Sequence, residues 1–486
     1  MTSPTAVLAA GSAVEAELLT VLIQLVVIIT VGRLFAIAAR RVGQPAAVGE
    51  ILAGLSLGPS LLGGLSAAAA RHGWWSGSSP EWLLDLLPVL RTDPDVLGAV
   101  FDPAVGPLFN MLAQLGLILL LFAIGLEFDF SHLRAKGAAA VSISVTGIVL
   151  PFGLGLAITP LLLPHIGLTR FDRPPDALEF ALFLGTAMCI TAIPILGRMM
   201  IELNIHRTRV GAVTISAAAV DDAAGWILLA SVGGLVRARA AGGGFDPWAA
   251  GRMIAETVGF ALAVMLVVRP LFRAWLARSL AAGGGELTLT TLTALLAAIF
   301  VCAIATNRIG IFSIFGAFFL GAALSDTPGL REAFARSVGR LTTAFFLPIF
   351  FTYTGLRTDI GSLDGPLLWA LCGLVLAAAF LGKLGGCAIA ARISGFRWRE
   401  SLCIGMMMNT RALMELIVIN EGYNLGVLTR SSFVMLVIMA LLSTVVTTPA
   451  LLRLARGSEL ADLVAGSELG GARPGATPAA GGGAAE

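Results

Sequence analysis

The sequence predicts an all-α polytopic membrane protein of about 13 transmembrane helices, part of them arranged as inverted repeats. Three observations carry that expectation. Of 486 residues, 57% are apolar and 13% charged, whereas a soluble domain carries about 25% charged residues; the mean hydropathy is +0.90. The apolar residues fall into stretches close to the ~20 residues that a bilayer-spanning helix requires. The basic residues, 30 of 32 of them arginine, cluster in the gaps between those stretches.

In chain order the predicted spans are about 17–39, 46–65, 107–126, 137–163, 177–197, 209–236 and 250–268 in the first half. The second half supplies about 287–306, 311–325, 338–356, 365–391, 399–421 and 431–452. Residues 1–16 form a short N-terminal segment. Glu15 and Glu17 precede the first apolar run and the first arginine is Arg33, so no basic leader is expected and the first helix should be retained. Between the second and third spans, residues 66–106 form a long loop whose Trp74, Trp75 and Trp82 suit interfacial anchoring. The tail, 457–486, is rich in Gly, Ala and Pro and is expected to be disordered.

Positively charged loops stay in the cytoplasm. With the N-terminus outside and the C-terminus cytoplasmic, inner loops hold 19 Lys and Arg, outer loops 10, and spans 3. An odd number of spans preserves that alternation. The net charge of +2, without any block of like charge, excludes a nucleic-acid partner. Cys189, Cys302, Cys372, Cys387 and Cys403 read as buried apolar residues. His72, His132, His165 and His206 lie in or beside loops, which leaves a protein-held metal centre without support.

Ionisable residues within spans are functional candidates because burying them in hydrocarbon is costly. They are Asp221, Asp222, Lys383, Arg411 and Glu415, with Glu50 near the start of the second span. Asp221 and Asp222 stand at the middle of the sixth span. As neighbours on a helix they project about 100° apart, so they cannot share a proton as a protease dyad does. One can bind a desolvated monovalent cation or a proton while the other pairs with a base. Lys383, in Leu381-Gly382-Lys383-Leu384-Gly385-Gly386, is the candidate base. Lysine, unlike arginine, can lose its proton when buried.

Two spans look discontinuous. In the fifth, Thr186, Thr191 and Pro194 lie at mid-membrane depth, and Pro194 frees a carbonyl near Ile190. In the twelfth, Asn409, Thr410 and Arg411 interrupt the apolar pattern ahead of Glu415. Interrupted helices at matching positions of two repeats point to a transporter's central site. Spans four to six and eleven to thirteen are seven helices apart, and that odd offset inverts the second set.

Arg411 and Glu415, spaced i, i+4, can pair within one helix; the pair either orients the broken helix or serves gating and proton handling. Glu50 reads as capping or packing a helix end, and Glu127 with Asp129 as an inner rim. The Gly316–Gly321 run offers a smooth packing face, and Pro348 with Gly355 a kink in the tenth span.

Arg41-Val42-Gly43-Gln44-Pro45, Gly54 through Ser60, the double aspartate, Phe346-Leu347-Pro348-Ile349-Phe350-Phe351 and Asn409 through Ile417 together resemble the monovalent cation:proton antiporter-2 family. The resemblance covers about residues 20–455. It implies the sodium/proton antiporter fold, in which two discontinuous helices cross beside the ion site. The membrane domain, 17–456, would then divide into core helices (137–236 and 365–452) and dimerisation or scaffold helices (17–126 and 287–356). Carried over by motif, Asp222 resembles the cation- and proton-binding carboxylate, and Asp221 the partner of Lys383. An Asp-Asp pair with a lysine resembles the electrogenic kind of exchanger. The lack of a nucleotide-binding domain after the spans argues against the glutathione-gated potassium efflux branch.

The expected activity is secondary antiport of Na⁺ or K⁺ against protons, with Thr191 and freed backbone oxygens helping Asp222 to hold the cation. Pro194, Asn409, Thr410, Arg411 and Glu415 would support the breaks. No catalytic residue, cofactor or enzymatic step is expected; the partners are the cation, the proton, membrane lipid and a second copy of the chain. An electroneutral K⁺/H⁺ exchanger, a sodium-coupled symporter of related fold, a cation channel and an intramembrane protease are the rival readings.

Overall fold

The computed structural model describes residues 4–58, 60, 106–127, 137–191, 196, 199–200, 205, 208–240, 247–411 and 413–455. The described residues are mostly helical, with one isolated bridge between Thr169 and Thr429 and no strand among them. The long loop through residue 105, Asp129, Pro194 and the tail beyond residue 455 lie outside the described residues.

The first helices are α1 (Pro4–Arg41), α2 (Ala46–Leu57), α3 (Gly106–Glu127), α4 (Gly137–Leu162), α5 (Ala177–Cys189) and α6 (Arg209–Ala240). α7 (Pro247–Ala263) runs through a π-helical turn, Val264–Val268, into α8 (Arg269–Ala282). Then come α9 (Leu289–Ile309), α10 (Ser313–Leu324), α11 (Leu330–Phe334), α12 (Leu347–Leu356) and α13 (Pro366–Phe380). The last four are α14 (Gly386–Ile393), α15 (Trp398–Met408), α16 (Leu413–Asn424) and α17 (Arg430–Ala455). Among the described residues, eight helical runs are long and apolar enough to cross a membrane, and α2, α5 and α10 are shorter apolar helices.

Three predicted boundaries move; one is the tenth span, expected from 338, whose helical run starts at Leu330 and takes in Arg331 and Arg336. α1 begins at Pro4, inside the segment placed ahead of the first span, because that stretch is rich in helix formers and proline is tolerated in a first turn. The seventh span, expected to end at 268, continues as an apolar run from Gly251 to Ala282. Arg269 and Arg273, read as loop residues, instead lie on α8 and reach Asp326 at 2.8 and 3.2 Å.

Local chemistry sets the irregularities. Pro270 and Pro348 lack the N–H that an α-helical ladder requires. Just ahead of each, the ladder widens to i→i+5 bonds, Arg269 N–H to the Val264 carbonyl and Leu347 N–H to the Thr342 carbonyl. The kink expected at Pro348 therefore takes the form of a π turn. Two further π turns have no proline behind them: Ala335–Gly339, and Leu381–Gly385, which joins α13 to α14 and carries Lys383. Such insertions recur at functional sites.

α1, α2 and α12 pack on one another, as do α3, α9 and α10. Gly316 and Gly321 of α10 lie against the Cys302 and Phe122 backbones, where a Cβ would collide. α4 packs on α5, α6, α13 and α14, while α15 packs on α6, α14 and α17. Glu50 is the fifth residue of α2 and is buried, so it packs inside the helix; the N-cap is Pro45. Glu127 is half exposed and bonds Arg331 at 3.1 Å.

Candidate functional site

Two helix ends meet beside the middle of α6. α5 stops at Cys189, and Ile190 turns extended with φ −79° and ψ 145°. α15 stops at Met408; Asn409 N–H still bonds back to the Gly405 and Met406 carbonyls at 3.1 and 3.2 Å, and the next helix starts at Leu413. Pro194, one reason to expect the first break, is among the residues not described.

A threonine ties the breaks to α6. The Thr191 hydroxyl lies 2.5 Å from Asp221 Oδ2 and 3.0 Å from the Met408 carbonyl, so its one proton lies between two acceptors. Lys383 Nζ approaches the same Asp221 oxygen to 2.6 Å and also donates to the Cys189 carbonyl. Lys383, Asp221 and Thr191 are all 0% exposed. α4 passes close to them through Gly147, where a Cβ would sit 2.6 Å from Cys387 Sγ.

Arg411 is fully buried. Its guanidinium donates to the Ala187 carbonyl at 3.0 Å, the Met188 carbonyl at 2.5 Å and the Ala379 carbonyl at 3.5 Å, and pairs with Glu415 Oε1 at 3.3 Å. The last carbonyls of a helix have no partner within it and carry partial negative charge. Ala187, Met188 and Cys189 are the last three residues of α5, and two buried cations serve all three carbonyls. Thr410 donates to the Met407 carbonyl at 2.5 Å, closing the end of α15.

Asp222 is 1% exposed, and neither carboxylate oxygen has a hydrogen-bond partner among the described residues. The same holds for both amide atoms of Asn409. Each is the chain neighbour of an atom held by Thr191: Asp222 follows Asp221, and Asn409 follows Met408. The structure thus places two hydrogen-bonded groups at the end of α5, Asp221 with Thr191 and Lys383, and Arg411 with Glu415, joined only through successive carbonyls of that helix; Asp222 and Asn409 are chain neighbours of the first group. Among the described residues no group of three or more His, Cys, Asp and Glu has the geometry of a metal centre, and all five cysteines are free and buried.

Sequence reasoning missed two participants. Thr444 of α17 donates to the Arg411 carbonyl, so the second break is tied to its repeat's third helix as Thr191 ties the first to α6. A second polar cluster joins α12 to α16: Arg357 reaches Asn424 at 2.9 Å and lies over Tyr353 and Tyr423 at 5.3 and 4.8 Å, while Asn420 donates to Thr354 at 3.0 Å. Glu421 beside it accepts from Gln114 of α3. The signal was available, because the chain has only two tyrosines and both are here.

A polytopic helix bundle in which two interrupted helices meet at a buried charge cluster defines a class, the ion-carrying secondary transporters. The chain belongs to the sodium/hydrogen exchanger family, whose transmembrane sequence model matches residues 26–455. It is 34% identical over 437 residues to the Na⁺/H⁺ antiporter NhaS4 of Synechocystis sp., covering 90% of this chain and 97% of that protein. It is 33% identical over 431 residues to Cation/H⁺ antiporter 18 of Arabidopsis thaliana, covering 89% of this chain and 48% of that one. With K⁺/H⁺ antiporter 1 of Saccharomyces cerevisiae it shares 27% over 429 residues, 88% of this chain and 45% of the yeast protein. The chain therefore spans about half the length of the plant and yeast relatives. In fold it resembles the sodium proton antiporter MjNhaP1 of Methanocaldococcus jannaschii, with a TM-score of 0.55 at 15% identity over 93% of this chain and all of that one.

Proposed function

We propose that the protein is a secondary antiporter that exchanges a monovalent cation, Na⁺ or K⁺, for protons, with Asp222 as the shared binding group. The observation that carries this reading is a buried carboxylate without a hydrogen-bond partner among the described residues, one position along α6 from an ion pair that is tied to both helix breaks. An isolated carboxylate charge in a dry interior is strongly unfavourable. Asp222 is therefore stable with a proton on it or with a cation beside it, and the two ligands exclude each other. Asn409, whose amide also lacks a partner among the described residues, and backbone carbonyls at the breaks add neutral oxygens that replace part of a cation's hydration shell.

Lys383 supplies the charge bookkeeping. If it releases its proton as the cation binds, two protons leave per cation and each cycle moves one net charge. One elementary charge is worth about 2.3 kcal/mol per 100 mV, so the membrane potential drives exchange even without a pH gradient. α4–α6 with α13–α17 act as the moving core, and α1–α3 with α9–α12 as the scaffold on which a second copy docks. The N-terminus faces outward and the C-terminus the cytoplasm, the orientation that the distribution of arginines between the remaining loops favours.

Proteoliposomes test the site. Asp222→Asn abolishes cation-dependent proton flux while the protein still folds and inserts; retained flux would remove Asp222 from the site. In the unmodified protein, lowering pH raises the cation concentration needed for half-maximal flux, as competition demands. A pH-independent cation affinity contradicts a shared site.

A further inference from the structure

Between α6, α7 and α10 lies a crevice of about 430 Å³, lined by Trp226, Ala230, Phe260, Ala261, Phe315 and Phe318 among others. Its wall is almost wholly apolar. The hydroxyls on it are already bonded within their own helices, Ser231 to the Ile227 carbonyl and Thr257 to the Met253 carbonyl, both at 2.7 Å. The indole N–H of Trp226 is the one buried side-chain polar atom on the wall without a hydrogen-bond partner among the described residues.

Helices packed within a protein leave no gaps of this size, because a void forfeits the dispersion contacts of every atom that lines it. The mouth shows what fills this one. Ile227 and Val258 at its rim are 67% and 52% exposed, and the apolar face continues along α7 and the π turn through Leu262 and Leu266 at 52% and 70%. Within that run, Gly251–Ala282, only 6% of the most apolar 18-residue stretch is buried in the protein although the run is apolar enough to span the membrane, so its outer face meets hydrocarbon chains. The crevice opens onto the same surface.

We infer that an acyl chain of a membrane phospholipid occupies the crevice and acts as a spacer between α6 and α10. Its depth is suitable: Trp226 lies one helical turn, about 6 Å, beyond Asp222, level with the middle of a chain and away from the headgroups. Farther along α6 the packing is tight. Gly233 abuts Phe312, Gly234 abuts Met253, and Arg237 donates to the Ile311 carbonyl at 3.1 Å. The chain therefore fills the gap below a pinned end, beside the stretch of α6 that carries Asp221 and Asp222. Displacement of α6 against α10 has to move or compress it. The spacer role rests on the antiport reading; binding of the chain does not.

The test uses the full chain in vesicles of dioleoyl phosphatidylcholine, compared with vesicles whose chains carry two bromines near their midpoint. Bromine quenches tryptophan only on close approach. Trp226 itself is 3% exposed, so a chain inside the crevice quenches it far more strongly than chains that stay outside the mouth. The emission assigned to Trp226, as the difference between the protein and Trp226→Phe, is expected to lose most of its intensity in brominated vesicles. Ala230→Phe and, separately, Ala261→Phe fill the crevice and are expected to restore at least half of that loss and to slow cation-dependent proton flux. Trp226 emission unaffected by brominated chains overturns the binding. Quenching that survives both filling variants overturns the location, and undiminished flux in variants that exclude the chain overturns the spacer role. Loss of flux on Asp222→Asn is a separate result, so failure here leaves the antiport reading intact.

Discussion

Lys383 and Arg411 are both buried cations, and both hold the carbonyl end of α5, yet their surroundings differ in two respects. The first is the partner. Arg411 pairs with Glu415 four residues along its own chain, so the pair travels with one helix, whereas Lys383 pairs with Asp221 on a helix 162 residues away in sequence. The second is chemistry. A guanidinium keeps its charge under all conditions in a protein, and its fork can serve several carbonyls at once; an ammonium is a point charge that can give up a proton when buried. The arginine is therefore a permanent clamp on α5, and the lysine a contact that can be broken by deprotonation or by movement of α6. Two positive side chains on successive carbonyls of one helix end do different work because one can change state.

The widest separation of the two is expected on removal of the arginine. Arg411→Ala leaves the Glu415 carboxylate buried without its counter-ion and strips the Ala187 and Met188 carbonyls of their donors. Breaking a buried pair in this way costs about 3–5 kcal/mol. The expected outcome is a large drop in the thermal midpoint of the purified protein, which Arg411→Lys recovers only in part because one ammonium cannot reach four acceptors. An unchanged midpoint in Arg411→Ala would break the comparison at its root.

Lys383→Gln should act on transport more than on stability. The amide can still donate to Asp221 and to the Cys189 carbonyl, but it carries no proton to release. Exchange is expected to continue and to stop responding to an imposed membrane potential, measured as cation-dependent proton flux in vesicles with and without that potential. Flux that keeps its voltage response would place the second proton elsewhere.

The ingredients of this contrast were legible in the sequence, and their contacts were not. Lys383 stood out as one of two lysines in the chain, and Asn409-Thr410-Arg411 marked a break because polar residues in an apolar span have no other ready explanation. What a sequence cannot display is a backbone acceptor. The Cys189, Ala187 and Met188 carbonyls are invisible in one-letter code, so Arg411 read as a partner of Glu415 alone and its grip on α5 went unseen. The same limit hid Thr444, a common residue in an apolar helix, and the Arg357 cluster, where residues from α12 and α16 meet only through tertiary packing. The length of the seventh helix was misread for a different reason: arginines that line an exposed helix face look like a loop when solvent and helix cannot be told apart by charge.

A pair outside the apolar span gives the smallest effect and calibrates the others. Asp176 precedes α5 and caps it, its carboxylate accepting from the Leu178 and Glu179 N–H groups at 3.0 and 3.1 Å, while Arg239 of α6 reaches both its oxygens at 3.1 and 3.0 Å. Partial burial pushes the Asp176 carboxyl up, but the backbone bonds and the Arg239 charge together outweigh it and hold it below the ordinary aspartate value. A carboxylate so depressed contributes stability above its unfolded value, and that contribution is lost as pH falls through the lower folded value. Arg239→Gln removes the guanidinium and leaves the cap. Because the two side chains are 32% and 40% exposed, the expected loss is about 1 kcal/mol or less and shrinks as salt is added. The acid limb of the stability profile should move toward neutral pH by a small amount, since one of the influences that depress Asp176 is gone. A loss as large and as salt-insensitive as that of Arg411→Ala would mean that burial is not what separates the clamp on α5 from an ordinary ion pair at its other end.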